Sequence, residues 1–195
     1  MTTIQSDAKL DAKGLACPMP IVRTKKAMKD LQAGQVLEVE ATDPGSKADL
    51  KAWAESAGHQ YLGTMEENGV LQHYLRKSSE EEGGELMYSN VCEPAELQKM
   101  LDSGESVVVL DVREAAEYAF RHIPSAVSIP LGELEYHLGE LNKDDRIYVI
   151  CRSGARSDLA SKKLADSGFT HVVNVVPGMS SWSGQTAGLD NGQMK

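Results

Sequence analysis

The stretch Ile147-Tyr148-Val149-Ile150-Cys151-Arg152-Ser153-Gly154-Ala155-Arg156-Ser157 constrains this chain more than any other part of it. A short apolar β-type run gives way, across one small loop, to a helical pattern that continues Ser157-Asp158-Leu159-Ala160-Ser161-Lys162-Lys163-Leu164. The same alternation recurs around it. Strands are expected at 107–110, 126–129, 147–150 and 171–175, and helices near 94–101, 115–120, 131–138, 157–167 and 179–184. Alternation of this kind implies an α/β unit with a mainly parallel sheet covered by helices on both faces. Ligands of such sheets bind beyond the carboxyl ends of the strands, and Cys151 falls at that edge.

The loop has its own chemistry. Its thiol sits among backbone N–H groups at the positive end of a helix dipole, with Arg152 and Arg156 in the same loop. Such surroundings favour thiolate, the nucleophilic form, and any anion that binds there. A buried structural cysteine would explain neither Gly154 nor the paired arginines. Four residues separate Cys151 from Arg156. Cysteine phosphatases use a loop one residue longer, wide enough for a tetrahedral phosphate. The shorter loop suits a smaller group, such as one sulfur atom carried on the cysteine.

The residues around the loop extend this reading. Val107-Val108-Val109-Leu110-Asp111-Val112-Arg113-Glu114, His122-Ile123-Pro124-Ser125-Ala126 and Gly178-Met179-Ser180-Ser181-Trp182 accompany it in order. Together with the Cys151 loop they resemble the rhodanese family over about 85–189. Two departures stand out: Ser125 replaces the usual glycine, and Arg121 the glycine that usually precedes the histidine. The resemblance implies a persulfide on Cys151, held by backbone N–H groups from Arg152 through Ser153, Gly154 and Ala155 to Arg156. Arg152 or Arg156 then aligns the donor. Asp111 and Arg113 lie just past a strand end and reach the same edge. Asp111 is expected to pair with an arginine of the loop, such as Arg156. His122 fits a structural hydrogen bond better than a general base. Cys92, before Glu93-Pro94, is read as a structural residue at a helix start, and Trp53 and Trp182 as core anchors.

A second cysteine, Cys17, lies in Gly14-Leu15-Ala16-Cys17-Pro18-Met19-Pro20, ahead of a helical pattern at 18–31. Pro18 and Pro20 suit a first helical turn, where no N–H is missed. Cys17 is expected near the N-cap, with Arg23, Lys25, Lys26 and Lys29 one or two turns away, an arrangement that lowers a thiol pKa. A strand at 9–12 precedes this helix, and a strand at 36–41, a helix at 47–56, and strands near 59–65 and 70–75 joined by a turn containing Asn68-Gly69 follow it. This βαβαββ order makes a two-layer sandwich. Cys17-Pro18-Met19-Pro20 and Asp43-Pro44-Gly45-Ser46-Lys47-Ala48-Asp49-Leu50 resemble the TusA/SirA-like sulfur-carrier family over roughly 9–77. The resemblance implies a persulfide carried on Cys17 and handed onward. Ala54 in the second helix leaves no cysteine inside this region to resolve it.

The organisation is thus a carrier region at 1–77, an acidic linker at 78–85 and a transferase region at 86–195. Residues 1–77 are charge-neutral, the linker holds four Glu, and 86–195 carries ten Lys/Arg against fifteen Asp/Glu. The resulting net charge of −9 argues against nucleic acid as a partner. No apolar run is long enough to span a membrane. The first residues lack a signal-peptide pattern. Three widely spaced cysteines make neither a disulfide framework nor a metal site. A cytoplasmic protein is expected, with 190–195 a frayed tail. The expected function is a sulfurtransferase needing no metal or organic cofactor. Its donor is thiosulfate or a small persulfide, and its acceptor is a thiol or a sulfur-acceptor protein, with Cys151 relaying sulfur to Cys17. A flexible linker of this length has an r.m.s. span on the order of 16 Å, short enough for direct relay. The alternative is a non-enzymatic sensor or scaffold modified by sulfane sulfur.

Overall fold

The computed structural model describes residues 4–79, 82 and 84–189. The expected frayed tail, and Glu80, Glu81 and Gly83 of the expected linker, lie outside the described residues. Contacts divide the chain into two compact units, Met1–Ser79 and Glu80–Lys195.

The first unit runs β1 (Ala8–Asp11), α1 (Met19–Asp30), β2 (Val36–Ala41), α2 (Ser46–Ser56), β3 (Gln60–Glu67) and β4 (Val70–Arg76). The sheet order is β1-β2-β4-β3. β1 and β2 are parallel, and β4 is antiparallel to both of its neighbours. Period-two alternation sorts the side chains. Leu37, Val39, Leu50, Ala54, Leu75 and Met28 form a buried core between sheet and helices. Asn68 and Gly69 both take positive φ, 52° and 77°, in the hairpin turn that their sequence demands.

The second unit contributes β5 (Val91–Cys92), α3 (Pro94–Asp102), β6 (Val108–Asp111), α4 (Ala115–Phe120) and β7 (Val127–Ser128). It continues with α5 (Leu134–His137), β8 (Ile147–Ile150), α6 (Ala155–Asp166) and β9 (Val172–Val175). Its sheet order is β5-β9-β8-β6-β7, with all strands parallel. One apolar cluster joins Ile147, Val149 and Cys151 to Ala160 and Leu164 of α6 and Leu134 of α5. The other joins Tyr148 and Ile150 to Leu97 of α3, Met179 and Trp182. Consecutive residues of β8 therefore feed opposite cores, and helices cover both faces, as the continuous apolar run requires.

Cys92 immediately precedes the helix start, as expected, and also belongs to a strand that the sequence did not announce. It lies in the edge strand β5, a two-residue strand too short to show period two in the sequence. The cap of α3 is Glu93, in a capping box with Glu96. Residues 178–181 form a short 3₁₀ turn in place of the longer helix expected near 179–184.

Candidate functional site

Cys151 follows the last residue of β8, and its alternation carries the side chain into the α6 face of the sheet, where it is 1% exposed. Gly154 caps α6 with φ 104°, a conformation that L side chains rarely adopt. A Cβ there would press Val176 at 3.2 Å. This turn aims the Gly154 N–H at Cys151 Sγ, 3.1 Å away. The single Ser157 hydroxyl proton is within reach of both Sγ, at 3.3 Å, and the Gly154 carbonyl, at 3.0 Å. The chain after β9 secures the loop from another side. Met179 N–H donates to the Cys151 carbonyl at 2.8 Å and Ser180 N–H to that of Arg152 at 2.9 Å.

The arginines divide their work. Arg156 is buried, and its guanidinium makes a two-pronged pair with Glu117 of α4, Nη1–Oε2 at 2.6 Å and Nη2–Oε1 at 3.0 Å. Burial disfavours its charge, but Glu117 more than offsets this and holds Arg156 above the ordinary arginine range. The expected Asp111–Arg156 pair is not formed. Asp111 instead takes Arg113, with Nε–Oδ1 at 2.9 Å and Nη2–Oδ2 at 2.6 Å, and also accepts the Arg113 backbone N–H. The physical reason is local. A residue two positions along closes on Asp111 first, and α4 presents Glu117 to Arg156. Arg113 further ties down the carbonyl of Arg121 at 2.7 Å. Arg152 is exposed, and among the described residues its guanidinium has no partner, so it is free to meet an anion. Ser153 is exposed beside it, and Ala155 is 9% exposed at the start of α6.

His122 donates from Nδ1 to the Tyr118 carbonyl at 2.7 Å and stacks on the Tyr118 ring at 3.8 Å. This is the structural hydrogen bond that its sequence position suggested. Ser125 takes φ 66° where the resembled family has glycine, so the left-handed turn persists without it. Cys92 is half-buried, and burial, then Glu96, pushes its thiol up to about 11. It is poorly suited to reaction at neutral pH.

Cys17 is exposed in the loop before α1, whose N-cap is Pro18. Here the expected electrostatics reverse. Hydrogen bonding to Asp49, then burial, then the charges of Asp49 and Asp43 raise its pKa above the ordinary thiol value. β1-α1-β2 and β2-α2-β3 are both crossovers between parallel strands, so the two helices start at the same edge. The acids at the entrance of α2, Asp49 and Asp43, are thus the charges that act on Cys17. Sequence reasoning missed Asp49, Glu117 and Ser157. Only the rule that a buried arginine needs a carboxylate pointed toward any of them. Among the described residues no group of three or more His, Cys, Asp or Glu is placed to hold a metal. Among them, too, no helix is long and apolar enough to cross a membrane.

Comparison with known proteins places each unit in a family. The family Sulfurtransferase TusA matches residues 8–77, and the rhodanese-like domain family matches 93–185. YrkF of Bacillus subtilis, which bears a sulfur-carrier name, is 55% identical over 182 residues, covering 91% of this chain and 96% of that protein. The sulfur carrier protein TusA of Allochromatium vinosum is 46% identical over 72 residues, covering 37% of this chain and 95% of its own length. Among solved structures, the rhodanese-like domain of an Anabaena protein superposes with a TM-score of 0.51 at 26% identity. It covers 55% of this chain and 85% of that one.

Proposed function

The chain belongs to the family of sulfur-transfer proteins that join an N-terminal TusA domain to a C-terminal rhodanese-like domain, and from that premise we propose a persulfide relay from Cys151 to Cys17. The carrier is taken as residues 1–77 and the transferase as 86–195. The observation that carries the reading is the setting of Cys151 Sγ. It meets the Gly154 N–H and the Ser157 hydroxyl at the first turn of α6, and the next residue, Arg152, is exposed with no guanidinium partner among the described residues.

The chemistry follows from those atoms. Arg152 draws in an anionic donor, thiosulfate or a small persulfide. The Cys151 thiolate attacks its outer sulfur. The donor's sulfur–sulfur bond breaks, and sulfite leaves with the bonding electrons when the donor is thiosulfate. Cys151 is left as a persulfide anion, which the Gly154 N–H and the α6 dipole stabilise. Arg156, neutralised by Glu117, shapes the loop instead of binding the donor. Cys17 then attacks the outer sulfur of the Cys151 persulfide. It gains the persulfide and gives up its thiol proton, and Cys151 recovers as the thiol. A protein or small thiol takes the sulfur from Cys17. No metal or organic cofactor enters these steps.

Turnover of thiosulfate with cyanide as acceptor tests the assignment. Cys151→Ser should fall below about a tenth of the wild-type rate, because a hydroxyl cannot carry a persulfide. Aryl phosphates should not be hydrolysed, since the loop is short. A sensor modified only once would give a single sulfur equivalent and no turnover. Cys151-dependent phosphatase activity would contradict the reading.

A further inference from the structure

Asp158 lies in the first turn of α6 and is 5% exposed. Among the described residues its carboxylate pairs with no cation. It accepts from neutral N–H groups instead: the backbone of Met87 at 3.1 Å to each oxygen, the backbone of Tyr88 at 2.9 Å, and Asn174 Nδ2 at 3.5 Å. A buried carboxylate is tolerated in such company because several N–H groups and the helix N-terminus oppose its charge. The segment it holds enters the second unit just after the expected linker. That segment is not packed flush on α6. A cavity of about 200 Å³ lies among Gly84, Glu85, Leu86, Ala155, Asp158 and Leu159. Hydrogen bonds to Asp158 fix it there.

The links continue inward. Asn174 on β9 is fully buried, and its Nδ2 also donates to the Gly154 carbonyl at 3.3 Å. Gly154 in turn sends its N–H to Cys151 Sγ. We infer that Asp158, acting through Asn174, is a positioning residue that ties the entering segment to Gly154 and so fixes the N–H that meets the reacting sulfur. The inference rests on the proposed function for its catalytic meaning. Gly154 has φ of 104° and, as a glycine, a wide choice of backbone conformations, so its direction depends on what grips its carbonyl. That grip comes from Asn174, Ser157 and the backbone N–H of Asp158 at 2.9 Å.

The test compares wild type, Asp158→Asn and Asn174→Asp in the full chain. The first substitution keeps the shape, removes the charge that the Met87, Tyr88 and Asn174 N–H groups share, and sets an amide NH₂ against at least the Met87 N–H, which meets both oxygens. The second sets a carboxylate against the Gly154 carbonyl. Amide hydrogen exchange read by NMR should show Gly154 exchanging about tenfold faster in both variants, with Val149 and Ile150 of β8 unchanged. The kcat for thiosulfate and cyanide should fall about fivefold, while KM for thiosulfate stays within about twofold, because Arg152 is untouched. Unchanged Gly154 exchange, exchange that quickens equally throughout β8, or local quickening with undiminished kcat would each overturn the inference. If wild type shows no turnover but Gly154 alone quickens, the positioning stands and the sulfurtransferase reading falls.

Discussion

Gly178 lies so close to the carbonyl oxygen of Cys151 that no side chain fits between them. A Cβ on Gly178 would overlap that oxygen and stand 3.1 Å from the carbonyl of Arg152. Its φ of 77° independently favours glycine. The turn that follows β9 is therefore a backing plate for the Cys151 loop, through the N–H groups of Met179 and Ser180.

Gly178→Ala should push the loop off its N–H partners. The expected outcome is destabilisation of about 2–4 kcal/mol and turnover below about a tenth of wild type. Chemical denaturation and the cyanide assay check it together. A variant with wild-type stability and turnover would show that the loop can yield without loss.

Arg152→Ala should act on binding alone. Its guanidinium is exposed and unpaired among the described residues, so the melting temperature should not change. Losing a charge-assisted contact to an anionic donor should raise KM for thiosulfate about tenfold or more, with kcat within about twofold. Steady-state kinetics separates this from a loss confined to kcat, which would place the cation contact in the transition state only.

Asp49→Asn should make Cys17 more reactive. Asp49 heads the causes that raise the Cys17 pKa, so the wild-type thiol is more fully protonated near neutral pH than a free one. Removing the carboxylate lowers that pKa and increases the thiolate fraction. Alkylation by iodoacetamide at pH 8 should run several-fold faster in the variant. Equal or slower alkylation would return the basic face of α1 to control of this thiol.

His73 gives the first unit a pH dependence. It is buried, bonded by Ser46 at 2.9 Å and Tyr61 at 2.8 Å, and pushed down to about 4 by burial and then by Lys47. Below about pH 6.5 the unfolded chain takes up a proton that the folded unit refuses. Stability therefore falls as pH drops from about 6.5 to about 4, and this contribution is constant below that. NMR titration of the His73 ring should find its midpoint near 4. A midpoint near 6.5 would mean the ring is solvated.

What was legible in the sequence follows from range. Ile147–Ile150, fully apolar, and the loop from Cys151 to Ser157 announced strand, turn and helix, because their pattern is local. Asn68-Gly69 did the same for the hairpin. The fold class of both units could be read this way. Partner choice could not. Glu117 lies 39 positions from Arg156 and Asp49 lies 32 from Cys17, and nothing in the spacing reveals which carboxylate arrives. The reversed setting of Cys17 arose because a helix dipole and nearby lysines were legible while the opposing acids of α2 were not. The strand holding Cys92 escaped notice because two residues carry no periodicity.

The most direct test is mass spectrometry of both cysteines after brief exposure to thiosulfate, in wild type, Cys151→Ser and Cys17→Ser. The relay predicts one added sulfur on each cysteine in wild type. It predicts loading of Cys151 alone in Cys17→Ser, and an unloaded Cys17 in Cys151→Ser. Cys17 persulfide forming at the wild-type rate in Cys151→Ser would contradict the relay and leave two sites that act in parallel.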